Sequence, residues 1–279
     1  MAEQFKETEV SGGSLVNRAR WLEDTDFSGR IVVAENRIEG QQNKVARVVT
    51  ALDAITKASD AAQAADLRDQ AMITIARQFQ NESDPLKLVG TINQELRSHG
   101  RYQSDMQVSW SGGSVDFATY SPQNARGGFD GWNRRSVQVY DKEEGQPIVN
   151  AAEKLESQLQ SARTIASEAV KPFTTDDPAV REARINQLKL QIAKHFSGNQ
   201  TPLDLLGAVN QRFKETGQGL QLTITGLSGD SYQVHVNVKF QGNSDYTRVP
   251  EATVNCSLPE QKRPPARAPR IEGVPQLKG

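Results

Sequence analysis

Few residues in this chain have the types and spacing that catalysis requires. The three histidines, His99, His195 and His235, include no helix-spaced pair of the H-E-x-x-H kind, and a catalytic metal needs several converging His, Asp or Glu ligands. No metal site is expected. His195 precedes Phe196 where a matching segment, described below, has Gln78, so it reads as a polar helix-surface residue rather than a general base. The single cysteine, Cys256, ends an apparent strand over 252–256. A reactive thiol needs an electropositive, partly exposed setting, and an inert one is expected here. One cysteine also excludes an intrachain disulfide and any zinc site with two or more thiolates. There is no G-x-S-x-G elbow. The glycines at Gly112-Gly113, Gly217-Gln218-Gly219 and Gly226/Gly229 follow a helix or join two strands, whereas a phosphate loop joins a strand to a following helix. They read as turns. No catalytic residue and no cofactor emerge.

Residues suited to binding are better represented. Asn93-Gln94 and Asn210-Gln211 occur at matching positions of two similar segments. Two readings stay open: an amide that bonds a neighbouring hairpin backbone in the same way twice, or a duplicated binding surface. The run Arg126-Gly127-Gly128-Phe129-Asp130-Gly131-Trp132-Asn133-Arg134-Arg135 combines arginines with two aromatics, a composition enriched at protein interfaces and able to stack on bases. Packing between modules, a protein partner and nucleic acid all suit it. The candidate binding residues are thus Asn93, Gln94, Asn210, Gln211, Phe129, Trp132, Arg134 and Arg135.

The elements that hold these residues follow from an internal match. Residues 75–97 and 192–214 share nine identities in 23 ungapped positions, at a constant offset of 117. The same offset aligns the punctuation. Asp84-Pro85 and Thr201-Pro202 read as helix starts, an N-cap residue type before a proline whose missing N–H costs nothing there. Gly100 and Gly217 read as helix stops, able to take the left-handed conformation. Between them, Leu86, Val89, Ile92 or Asn93 and Leu96, and likewise Leu203, Leu206, Val209 or Asn210 and Phe213, are expected to form one apolar stripe per helix.

After each stop the apolar period becomes two, with Met106, Val108 and Trp110 before Val115 and Phe117, and Leu220, Leu222 and Ile224 before Tyr232, Val234 and Val236. Each set predicts a hairpin. Upstream, Ile31-Val32-Val33 and Val137-Gln138-Val139-Tyr140 read as leading strands. Helical faces then follow at Val45, Val48, Val49, Leu52 and Ile55, and at Ala152, Leu155, Leu159, Ala162, Ala166 and Ala169. A further helix precedes each shared segment, near 67–80 and 178–197.

The expected fold is α+β, two tandem homologous modules, each roughly strand-helix-helix-helix-β-hairpin. The expected boundaries are a polar segment 1–26, module 27–121, linker 122–131, module 132–241, terminal strand region 242–256 and a disordered Pro/Arg-rich tail 257–279. With 33 Lys+Arg against 34 Asp+Glu and a net charge of -1, the surface offers no general footprint for nucleic acid. A hairpin after two helices is similar in outline to winged-helix DNA binders, but helix 84–97 carries only Lys87 and Arg97 against Glu95, too little for a helix facing phosphates. No segment approaches the ~18 apolar residues of a membrane span, and the first residues lack a signal-peptide layout. A soluble protein, cytoplasmic in the producing cell, is expected, with export independent of a signal peptide left open.

The retained features are caps, core and turns, not a shared set of ionisable groups. That points to a non-enzymatic protein-protein interaction protein, an adaptor or bacterial effector-like binding protein, with a protein partner and no nucleic acid or membrane insertion. The alternative is an enzyme with its site in a cleft between the modules, where Trp132, Arg134, Arg135 and His195 are the candidates.

Overall fold

The computed structural model describes residues 27–101, 106–120, 132–141, 146–227, 230–240 and 244–259. They form an α+β structure that divides into two compact units, residues 1–155 and 156–279. The expected polar segment 1–26, the linker and most of the tail lie outside the described residues.

The first unit runs α1 (Phe27–Ile55), α2 (Ala61–Phe79), α3 (Pro85–Ser98), β1 (Met106–Ser111), β2 (Ser114–Tyr120) and β3 (Trp132–Gln138). Local chemistry sets the helix ends. Asp60 caps α2 by accepting Gln63 N–H, and Asp84 caps α3 by accepting Lys87 N–H with Pro85 at the first position; each cap satisfies a donor that the helix leaves unpaired. The Asp60 carboxyl titrates below its ordinary range, chiefly because it accepts the Gln63 N–H. At the other end Gly100 takes φ +70°, as a left-handed C-terminal cap requires. Val48, Leu52, Ala65, Ile75, Phe79, Leu88, Ile92, Leu96, Met106, Val115 and Phe117 are all buried. The three strands form one antiparallel sheet in the order β1-β2-β3, with Val108 opposite Phe117 and Phe117 opposite Arg135.

Gly112 and Gly113 make the β1–β2 turn with φ +51° and +88°, the paired positive values of a type I′ hairpin. Gly113 O also accepts Val139 and Tyr140 N–H, each at 3.0 Å, and a Cβ on Gly113 would stand 2.8 Å from Tyr140 O. Gly113→Ala is therefore expected to destabilise the first unit by about 1–3 kcal/mol, read as a lower urea midpoint.

The second unit contains most of α4 (Ala151–Val170), a 3₁₀ turn (Lys171–Thr174), α5 (Pro178–Phe196), α6 (Pro202–Glu215), β4 (Leu220–Thr225), β5 (Ser231–Val238) and β6 (Thr247–Ser257). Its sheet is again antiparallel, in the order β4-β5-β6. Ile165, Ala166, Leu188, Ile192, Phe196, Leu205, Val209, Phe213, Leu222, Val234 and Val236 build its core. Asp177 caps α5 by accepting two backbone N–H groups, and Gly217 ends the α6 region with φ +68°. Thr201 precedes α6 without a side-chain cap bond; Asn199 Oδ1 accepts Thr201 N–H instead, at 2.8 Å.

Three expectations need correction. Ile31-Val32-Val33 lies inside α1 rather than in a strand; β-branched residues disfavour helix only weakly, and context overrides that preference. Each described unit therefore runs helix-helix-helix-strand-strand-strand, not strand first. Secondly, 132–138 pairs along the full length of β2, so it completes the first sheet instead of opening a second module, and residues 122–131 stand in sequence between β2 and β3. Thirdly, Thr247–Ser257 is the third strand of the second sheet, because β5, like β2, has a second edge whose backbone groups need partners.

Candidate functional site

The retained asparagines act alike in both units. Asn93 Nδ2 donates to Val108 O at 2.7 Å while Asn93 Oδ1 accepts Val108 N–H at 3.1 Å. Asn210 does the same to Leu222, at 2.9 and 2.7 Å. Each amide thus supplies a donor and an acceptor to the outer edge of an edge strand, as a neighbouring strand would. Their hydrogen-bonding groups serve the fold. Their neighbours differ: Gln94 is exposed, and Gln211 Nε2 donates to Glu215 Oε1 at 2.9 Å.

The arginine candidates separate. Arg135 is buried, and its Nη2 lies 3.3 Å from Asp69 Oδ1 in a pair whose side chains are 6% and 3% exposed. Beside it, the buried Arg68 donates from Nε to Thr119 Oγ1 at 3.1 Å. These groups link α2 to β2 and β3 inside the first unit, so Arg135 holds the fold rather than awaiting a ligand. Sequence reading passed over Arg68 and Asp69, although both fall on the helical face of Ala64, Ala65 and Met72, a signal that periodicity carries. At the shared offset the second unit has the apolar Ile185, buried in its core. Arg134 is exposed on β3 and Trp132 pairs with Tyr120 through the backbone. Phe129 lies outside the described residues.

The second unit holds two histidines, a tyrosine and a cysteine with perturbed titration. His235 is 1% exposed; Thr225 Oγ1 lies 2.7 Å from its Nε2, Thr253 Oγ1 lies 3.2 Å from its Nδ1, and the Arg248 guanidinium contacts the ring. Burial first, then the Arg248 charge, hold this imidazole below its ordinary 6.5. His195 is also held down, by burial and by Lys194. It is half-buried, and its Nε2 has no partner among the described residues, which corrects the surface position expected for it. Burial pushes the Cys256 thiol up and the Tyr232 hydroxyl up to about 12, the latter donating to Phe196 O at 2.5 Å. A buried thiol with a raised pKa is a poor nucleophile. Among the described residues no three His, Cys, Asp or Glu gather as a metal site, and no helix is long and apolar enough to cross a membrane.

These histidines make the second unit acid-sensitive. Each has a folded pKa below its unfolded value, so as pH falls through about 6.5 the unfolded chain takes up protons first and stability declines until the folded pKa values are passed. The urea midpoint of the second unit is expected to drop between about pH 7.5 and 5, and His235→Asn should flatten that drop; a constant midpoint would contradict it.

The feature that stands out on the surface is one the stripe prediction misplaced. Leu86 is 66% exposed and Leu203 57%, although both were expected on the core face. The buried stripe is instead Leu88, Val89, Ile92 and Leu96 in α3, and Leu205, Val209 and Phe213 in α6. At about 100° per residue, Leu86 sits about 60° beyond Val89 and turns outward. One helical turn on, in the same i,i+4 row, come Gly90 and Gly207, both exposed, and then Gln94 and Gln211. A Cβ on either glycine would meet nothing within 4 Å and neither has a positive φ. Glycine in a helix costs roughly 0.5–1 kcal/mol relative to alanine, and nothing in the packing of either unit requires it. Both units therefore carry a Leu-x-x-x-Gly-x-x-x-Gln row, 117 residues apart, whose leucine and glycine are exposed, while Gln94 is exposed and Gln211 half-buried. No family model matches this chain, and comparison with curated proteins and with solved structures finds no match.

Proposed function

We propose that the chain is a non-enzymatic protein-protein interaction protein, an adaptor or bacterial effector-like binding protein working in the cytoplasm of the producing cell, built from a duplicated module. Duplication is supported by the constant sequence offset, by the matching order of elements in each unit and by the identical asparagine clamps. The observation that carries the interaction reading is the exposed leucine-glycine row on α3 and α6. An exposed leucine alone is ordinary. An exposed leucine next to a helix glycine that the fold does not need, at the same place twice, suits a surface where another backbone approaches closely.

Leu86→Asp with Leu203→Asp tests it. Both side chains point to solvent, so the double variant should keep its circular dichroism and lose at most about 0.5 kcal/mol per site. Affinity capture from a lysate of the source cell, quantified by mass spectrometry, should lose the proteins that the unchanged chain retains. Equal capture by both would remove the row from the proposal.

A further inference from the structure

We infer that the outer face of the second sheet holds a tetrahedral oxyanion of the phosphate class, taken between the Arg248 guanidinium, the His235 ring and the hydroxyls of Thr225 and Thr253. This face is separate from the leucine-glycine row and does not depend on it. Alternation along β5 sends Tyr232, Val234, Val236 and Val238 into the core, so His235 stands on the opposite face. There it lies opposite Thr223 of β4. On the β6 side, Val234 pairs with Val254 and Val236 with Val249, which leaves residues 250–253 facing His235 alone. Bulges of this kind re-aim side chains. This one brings Thr253 to one ring nitrogen, while Thr225 reaches the other and the Arg248 guanidinium contacts both.

The cluster is rich in donors and lacks an anion. A neutral imidazole has one donor and one acceptor nitrogen, and threonine hydroxyls already lie 2.7 Å from Nε2 and 3.2 Å from Nδ1. A guanidinium only donates, through five N–H groups, so the ring satisfies at most one of them. Arg248 is exposed and forms no ion pair among the described residues. The other charged residues described on these strands and their connections are Asp230, Lys239, Asp245 and Glu251; all are exposed and none pairs with Arg248 or His235. Burial and the Arg248 charge disfavour the protonated ring, and an anion beside it opposes that effect.

The first unit has no such arrangement. Asn93 clamps Val108 and Asn210 clamps Leu222, so the next residues, Ser109 and Thr223, correspond; the residues opposite them are Asp116 and His235. Asp116 then faces Ser136 of β3 in unbroken register. The same order of elements is thus built there with neither the cations nor the bulge. In the second unit a tetrahedral dianion supplies acceptors for the planar fork of Arg248, for the two hydroxyls and for the ring N–H. Arg248 turns aside about its own side-chain bonds to admit it.

Titration of the isotope-labelled full chain with sodium sulfate at constant ionic strength, followed by NMR, tests this. Sulfate does not change charge near neutral pH. Saturable shifts are expected at Thr225, His235, Arg248 and Thr253, with affinity rising about threefold or more from about pH 7.5 to about pH 6 as the ring takes up a proton. Arg248→Gln should weaken binding about tenfold or more, with Arg248→Lys between it and the unchanged chain. His235→Asn should remove the pH dependence, and Asp116→Asn should change nothing. Because Arg248 is exposed, its variants test the site even where His235→Asn lowers stability. Inorganic phosphate should compete with sulfate at the same residues. A nucleoside monophosphate that binds about tenfold tighter than phosphate identifies a nucleotide as the source of the anion, and equal binding identifies the free ion. Shifts that stay linear to about 50 mM sulfate, as general ion screening gives, would overturn the inference. So would an affinity that Arg248→Gln or pH leaves unaltered.

Discussion

Asp69→Ala is expected to unfold the first unit at urea concentrations where the second stays folded. The Asp69 carboxylate faces the Arg135 guanidinium inside a region where Arg68, Asp69, Thr119 and Arg135 are all buried. Removing the anion takes away the carboxylate that faces a buried cation, and breaking such a pair costs about 3–5 kcal/mol. That is a large part of the stability of a domain this size. The apolar alternative is less costly. Replacing the pair together, Asp69→Leu with Arg135→Met, should recover much of the loss, because the buried cation is removed along with the anion. In the second unit the shared offset sets Ile185, packed in an apolar core, at the position of Arg68, and Asn186 at that of Asp69. Denaturation followed separately by Trp110 fluorescence for the first unit and by hydrogen exchange for the second would distinguish the two transitions. Coincident, unshifted transitions in Asp69→Ala would refute the assignment.

The asparagine clamps predict the next largest effect. Asn93→Ala and Asn210→Ala each leave one strand N–H and one strand C=O without their amide partner, at the part-buried edges of β1 and β4. At roughly 1–3 kcal/mol per stranded buried group, each variant should lose about 2–4 kcal/mol in its own unit. Aspartate separates the two bonds. An ionised carboxylate still accepts the N–H of Val108 or Leu222 but cannot donate to the carbonyl, so Asn210→Asp should fall between alanine and the unchanged chain. An opened edge also offers pairing groups to other chains, and the alanine variants should aggregate earlier on heating. If both alanine variants unfold with unaltered midpoints, the clamps contribute nothing and the retention of asparagine needs another cause.

Much of the local structure was legible in the residues themselves. Asp84-Pro85 and Thr201-Pro202 mark starts because an N-cap residue type and a donor-free proline suit the unpaired first turn. Gly100 and Gly217 mark stops because only a residue without a Cβ enters the left-handed region at little cost. The switch to alternating apolar residues gives β1–β2 and β4–β5. These signals are short-range, so a single chain carries them complete. The sequence also singled out Asn93 and Asn210 by their repetition, as amides bonding a hairpin backbone or as a duplicated binding surface; in the structure each bonds the strand edge beside it.

What tertiary structure alone decided is which side of each helix faces inward and which strands share a sheet. In α3 the apolar positions 86, 88, 89, 92 and 96 permit more than one stripe, and only the sheet and α1 packed against the helix choose Leu88 over Leu86. The same holds for Arg135, whose neighbours in sequence suggest a surface cluster while its actual neighbour, Asp69, is 66 residues away. The pairing of β3 with β2 and of β6 with β5 depends on backbone edges that exist only once the hairpins have formed. Burial is a property of the assembled neighbours of a residue, and those neighbours are not written beside it in the chain.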